Sequence, residues 1–340
     1  MPAAALARKV NISIKMKKNI AVIYGGPSSE RQISILSGRY AASVIDRDLY
    51  NVYEILFNTD CWQLVEWRDD EMKVLGTVDK GDFSCDGIKF DVACIMIHGI
   101  PGENGLLQGY FEMMDIPVTT CSSFVCTVAF NKYSCKRLLA DTGVKMAVDI
   151  SLRKGESFDV EAIVEKLGLP VFVKPADGGS SFGVTKVKDT SMMAAAIEYA
   201  FSESDTILIE SAITGRELTQ AIYMDAGEAV ALPITEIVTD NEYFDYDAKY
   251  NGKSQEICPA PIPQELADEM TFWTKKIYTH LGGTGLIRID YIAGEEGVYF
   301  LEINATPGMT KMSLVPKMVR VSGRTMTEFF TALIENALNR

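Results

Sequence analysis

The stretch from Gly285 to Thr310, GLIRIDYIAGEEGVYFLEINATPGMT, limits what this chain can fold into more than any other part of it. Two runs rich in strand-forming residues flank Gly294 and Gly297, which predicts an antiparallel hairpin. Side chains alternate faces along a strand, so one face is expected to carry Arg288, Asp290, Glu302 and Asn304. The other face should carry Ile287, Ile289, Tyr291, Tyr299, Leu301 and Ile303 and bury itself. A three-residue turn sets Asp290 opposite Glu302 and Arg288 opposite Asn304. Two carboxylates and a carboxamide beside a guanidinium offer the hard oxygen donors that suit Mg²⁺ or Mn²⁺ held between protein and substrate phosphates.

Composition narrows the class. The 340 residues, 47% hydrophobic and 23% charged, are those of a soluble globular protein of two or three domains. A net charge of −13 argues against nucleic acid or an acidic membrane as partner, because phosphate backbones reward basic surfaces. A nucleotide substrate would need a locally basic pocket. The seven cysteines (61, 85, 94, 121, 126, 135 and 258) form no CxxC pair and read as reduced, mostly buried thiols of a cytoplasmic protein. With only His98 and His280 present, a histidine-based zinc site is not expected. No run of about 18 apolar residues occurs, so no membrane span is expected. Residues 1–18 are basic and Ala-rich without the apolar core of a signal peptide, and Met16 is a natural start just before the first strand.

Strands and helices alternate along the chain. Lys18–Tyr24 reads as a strand that runs into Gly25-Gly26-Pro27-Ser28-Ser29-Glu30 and then a helix. This is the way an open α/β sheet begins, with ligands at the carboxyl ends of its strands. Val92–Ile97 is a second apolar strand ending at His98-Gly99, a helix follows from about Gly105, and Ile116–Val118 reads as a short strand. A single helix is expected over 124–142, carrying Lys132, Lys136 and Arg137, with lysines on such a helix expected in solvent. Val171–Lys174 and Ile207–Glu210 are further strands, with helices over Ser191–Phe201 and Thr325–Leu338. Between them Lys174 leads into Ala176-Asp177-Gly178-Gly179-Ser180-Ser181-Phe182-Gly183, where glycine and serine can bring backbone amides and hydroxyls close to phosphate oxygens. Neither the Walker pattern nor a G-x-G-x-x-G fingerprint is present.

In order, the segments GGPSSERQISILSG, HGIPGENGLLQG, FVKPADGGSSFGV, IESAITGREL, FDYDAKY, IRIDY and LEINATPGMTKMSL resemble the D-alanine–D-alanine ligases of the ATP-grasp superfamily from about Asn19 onward. The resemblance implies an α/β (α+β overall) ATP-grasp fold. An N-terminal Rossmann-like open-sheet domain would span 19–120, a small central domain 121–215 and an antiparallel-sheet domain 216–340. It implies ATP-dependent joining of two D-alanines through an acyl phosphate for peptidoglycan precursors, two Mg²⁺ or Mn²⁺, and a cytoplasmic homodimer.

It also assigns residues. Lys132 and Lys174 would grip ATP phosphates, with Lys249 beside the nucleotide on a mobile loop. Glu210 and the backbone near Ala212 and Ile213 would read adenine, and Glu217 would hold the ribose. Asp290, Glu302 and Asn304 would bind the metals. Glu30 would meet the ammonium of the first D-alanine, near His98, in a hydrogen-bonded set with Ser180 and Tyr250. Arg288 and the Gly308 amide would cradle the oxyanion, while Ser313 and Leu314 would hold the carboxylate of the second D-alanine. The chain departs from the family pattern at Asn131, in the aromatic order Tyr243-Phe244-Asp245-Tyr246, at Ala305-Thr306 and at Ser211. Two other readings are a ligase that uses D-lactate, against which the Lys249-Tyr250 pair argues, or another amino acid, and a nucleotide sensor on a decayed scaffold.

Overall fold

The computed structural model describes residues 16–179, 181–239 and 254–340. Its first sheet has five strands, with Lys18–Gly25 flanked in parallel by Tyr50–Phe57 and Val92–Ile95. Trp62–Arg68 and Glu71–Thr77 extend it antiparallel at one edge. Alternation along Lys18–Gly25 sends Ile20, Val22 and Tyr24 to one face and Ala21 and Ile23 to the other. The first set packs on helix Arg31–Val44 and on the last helix, Met326–Leu338, through Phe329 and Phe330. The second packs on helix Leu106–Met113 through Leu107 and Phe111. The unit is therefore three-layered, and one of its layers comes from the far end of the sequence.

A four-stranded antiparallel sheet follows, in the order Thr185–Val187, Val171–Pro175, Thr206–Ser211, Asp149–Arg153. Helices Val160–Leu167 and Met193–Glu203 supply the rest of its core. The third sheet has seven strands, with Ile287–Gly294 at its centre between Arg216–Asp225 and Gly297–Asn304. No described helix is long and apolar enough to cross a membrane.

Three local expectations need correction. Residues 116–118 form no strand, only an isolated bridge between Val118 and Ala93. The helix expected over 124–142 is two helices, Ser123–Phe130 and Lys132–Leu139, followed by a 3₁₀ turn. Asn131 breaks it: its backbone is extended, and its side chain caps the second helix by accepting the Ser134 amide at 2.8 Å. The hairpin turn also differs, because Gly294 pairs with Gly297 and only two residues lie between them. A bulge between Asp290 and Tyr291 restores the register, so Asp290 still faces Glu302 and Arg288 faces Asn304. Beyond the bulge the alternation is inverted. Val298 and Phe300 enter the core, while Tyr299 and Leu301, expected there, line a cleft.

The buried face of the hairpin holds the polar face in place. Ile289→Ala should lower stability by roughly 2–5 kcal/mol, the cost of a buried cavity of that size. Urea unfolding checks this; a loss below about 1 kcal/mol would mean the core collapses around the gap.

Candidate active site

Arg288 and Asp290 lie two residues apart on one face and form a bidentate pair, Nε to Oδ1 and Nη2 to Oδ2, each at 2.8 Å. Thr219, opposite Asp290 on the next strand, donates its hydroxyl to Oδ1 at 2.5 Å. These partners take three of the roughly four lone-pair sites of the Asp290 carboxylate, which leaves a place for one further cation. Asn304 Oδ1 accepts the Thr306 amide at 3.1 Å, so its orientation is set. Among the described residues no group of three or more His, Cys, Asp or Glu closes into a cage. An open pair of carboxylates plus an amide oxygen fits a cation that takes its remaining ligands from phosphates and water, as Mg²⁺ does.

Two clefts meet at this face. The first lies between the four-stranded and seven-stranded sheets, walled by Phe172, Ile213, Leu301, Lys174 and Glu217. Lys174 and Lys136 both reach Glu210, at 2.7 and 2.8 Å, and Lys136 also reaches Asp149 at 3.0 Å. Burial pushes the Glu210 carboxyl up, but the ammonium groups of Lys174 and Lys136 outweigh it and hold the group below its usual range. Both Glu210 oxygens therefore face lysines. Ala212 donates its amide to the Pro170 carbonyl, while Ile213 faces the cleft. Lys132 follows the Asn131 cap and bonds the Gly178 carbonyl at 3.0 Å, with Glu302 at 3.5 Å. Neither helix lysine is solvated as expected: the side chains of Lys132 and Lys136 are 15% and 5% exposed.

The second cleft lies on the other side of Lys132 and Glu302, which line both. Glu30, His98, Arg288, Asn304, Gly308 and Ser313 border it, with Leu314. Gly99 adopts φ +72°, and a Cβ there would meet Ser28 at 3.0 Å, so a side chain would push apart the loop that carries Glu30. Burial holds His98 below its ordinary value, so the ring is neutral at pH 7. With its proton on Nδ1 it donates to the Thr306 carbonyl, while Nε2 accepts from Ser37, both at 3.0 Å. Ser37 in turn accepts the Met309 amide at 3.2 Å. His98 thereby fixes the backbone on both sides of Gly308. Helix Leu314–Val321 starts at this cleft with no side-chain cap, the kind of helix end that can receive an anion.

The comparisons with known proteins agree with this geometry. Residues 19–121 match the family model for the D-ala D-ala ligase N-terminus, and residues 138–335 match the model for its C-terminus. The chain belongs to the D-alanine–D-alanine ligase family. D-alanine–D-alanine ligases of Parabacteroides distasonis and Phocaeicola vulgatus are 47% and 46% identical to it, over 95% and 94% of this chain and 98% and 99% of theirs. Among solved structures, the VanG D-Ala:D-Ser ligase of Enterococcus faecalis superposes with a TM-score of 0.82 at 27% identity, covering 94% of this chain and 99% of that one. The ATP-grasp fold and ATP-dependent ligase class expected from the resemblance are those of this family.

The structure brings the other expected residues to the lining of the two clefts except Ala212, whose amide is taken by the Pro170 carbonyl; Ser180, Lys249 and Tyr250 lie outside the described residues. Sequence reasoning passed over Thr219 and Glu103. Thr219 could have been found by alternation along Arg216–Asp225 once that strand was set beside Asp290. Glu103 sits in the quoted HGIPGENG segment, and its side chain lies 4.0 Å from His98. Burial, and then the nearby Glu30 charge, push its carboxyl up to about 8 from the ordinary 4.5. Because its folded pKa is raised, the native state holds a proton there that the unfolded chain gives up. Stability should fall as pH rises from 4.5 to 8. Glu103→Gln should gain stability relative to the native chain across that window, read as a difference in melting temperature that widens toward pH 8. A constant difference would show that Glu103 is ionised throughout.

Proposed function

We propose that this chain joins two D-alanines into D-alanyl-D-alanine at the expense of ATP. What supports this most is that Lys132 and Glu302 border both clefts, so the end of a nucleotide in one and a carboxylate in the other would meet at the polar face of the hairpin. Phe172, Ile213 and Leu301 offer an apolar slot for a base, while Lys132 and Lys174 provide positive charge for phosphates within an acidic protein. Glu210 holds Lys174 extended in that slot. Mg²⁺ or Mn²⁺ held by Asp290, Glu302 and Asn304 would neutralise phosphate charge while a carboxylate oxygen attacks the γ-phosphorus.

Glu30 meets the ammonium of the first D-alanine and turns its carboxylate toward the hairpin. The amine of the second D-alanine attacks the acyl phosphate that forms, negative charge develops on the carbonyl oxygen, and its collapse expels phosphate. The two bonds to Asp290 leave further N–H groups of the Arg288 fork to face that oxygen, together with the Gly308 amide. Removing one such donor costs about 3 kcal/mol of transition-state stabilisation in comparable sites. The carboxylate of the second D-alanine sits at the start of helix Leu314–Val321, beside Ser313 and Leu314. Ser180, Lys249 and Tyr250 lie outside the described residues, and the roles expected for them rest on the family resemblance.

ADP release measured against a panel of D- and L-amino acids and D-lactate tests the reading. D-Alanine alone should support turnover, and strict preference for another acid would replace the substrate. Asp290→Ala or Glu302→Ala should abolish turnover, and near-normal ADP release would remove the hairpin from the chemistry. Chelating divalent metal should stop product formation without unfolding the chain, since no described Cys/His cluster staples it. Cooperative unfolding on adding chelator would contradict that.

A further inference from the structure

Glu256 has no part in the scheme above, yet it lines the substrate cleft together with Arg288, Gly308 and Ser313. It sits on Ser254–Ile257, the edge strand of the seven-stranded sheet, where it pairs with Ile237. Its side chain is 25% exposed. Lys317 approaches it from helix Leu314–Val321, donating to the Glu256 carbonyl at 2.5 Å, with Nζ 3.9 Å from Oε2. The helix whose uncapped start can receive a carboxylate thus also fixes the strand that carries Glu256. In an α-amino acid, one carbon separates carboxylate from ammonium. A substrate anchored at Ser313 and Leu314 must place its ammonium within the same cleft. Of the acidic groups bordering that cleft, Glu30 is assigned to the first amino acid and Glu302 to the metal face, while Glu103 stands beside His98.

We propose that Glu256 receives the amine of the second amino acid and selects an amine over a hydroxyl nucleophile. The ammonium enters paired with the carboxylate and gives it one proton, leaving a neutral amine and a carboxylic acid. The amine lone pair forms the C–N bond and gives the oxyanion, whose collapse breaks the C–O bond to phosphate, and the departing phosphate takes the second nitrogen proton. Burial raises the Glu256 carboxyl, against the pull of Lys317 and Arg288, which favours its acceptance of a proton. A hydroxy acid brings no cation for Glu256 to pair with, and would face the carboxylate with its own negative charge uncompensated. This inference rests on the ligase reading.

The test compares wild type, Glu256→Gln and Lys317→Met in one assay of D-alanine competing with D-lactate for the second position. Glu256→Gln should raise KM for the second D-alanine about tenfold, as expected for loss of a charged contact, and leave KM for the first and for ATP unchanged. It should also shift the product ratio toward D-alanyl-D-lactate at least fivefold. Lys317→Met should leave that ratio unmoved. If Glu256 serves only to tie strand to helix, both variants will impair turnover with the wild-type ratio, and the proposal is overturned. Equal shifts in both variants would overturn it too. Failure of the wild type to turn over D-alanine would count against the ligase reading itself, whereas wild-type turnover with an unmoved ratio in Glu256→Gln counts against Glu256 alone.

Discussion

Asp290 and Glu302 stand opposite each other on neighbouring strands, an arrangement that like charges oppose. It persists because cations are built in around it. Arg288 holds Asp290 from two residues away, Thr219 adds a hydroxyl, and Lys132 stands by Glu302. Burial works against the Arg288 charge, but Asp290, with Glu302 and Glu103 beyond it, more than compensates and raises its pKa. The ion pair and the apolar face beneath it depend on one another. Ile287, Ile289 and Tyr291 are fully buried and fix the strand on which the charges stand. A substrate's phosphates and their cation would enter a site whose acids and bases are already balanced.

The same balance explains how an acidic protein can take an anionic ligand. The net charge is −13, yet Lys132, Lys174 and Arg288 line the two clefts, with Lys132 in both. Each is held by a carboxylate, and Lys136 lies behind Glu210 rather than in the cleft. The pairs keep the lysines extended and desolvated, so little side-chain order is lost on binding. His98 plays the corresponding part for the backbone, joining Thr306 and, through Ser37, Met309 on either side of Gly308.

Much of this was legible in the sequence because it depends on alternation and local order. The polar face of the hairpin and the strand that ends near Lys174 follow from alternation and spacing. The register came out right although the turn is one residue shorter than expected, because the bulge next to Asp290 returns that residue. The bulge itself has no signature in the sequence, so Tyr299 and Leu301 were assigned to the wrong face. The break at Asn131 was hidden for a different reason: an asparagine inside an apolar, helix-period run reads as helix until its side chain is seen to cap the next one. Lys136 and Glu256 owe their environments to Glu210 and Lys317, and Glu103 to Glu30 and Arg288, all distant in sequence, which no local pattern reveals.

The central claim is that a carboxylate in one cleft meets the end of a nucleotide in the other at the hairpin. Turnover of D-alanine labelled with ¹⁸O in both carboxylate oxygens tests it most directly. Attack on the γ-phosphorus predicts that each dipeptide formed is accompanied by one labelled oxygen in the released phosphate, with ADP as the other product. Unlabelled phosphate, or label appearing in AMP, would contradict the account.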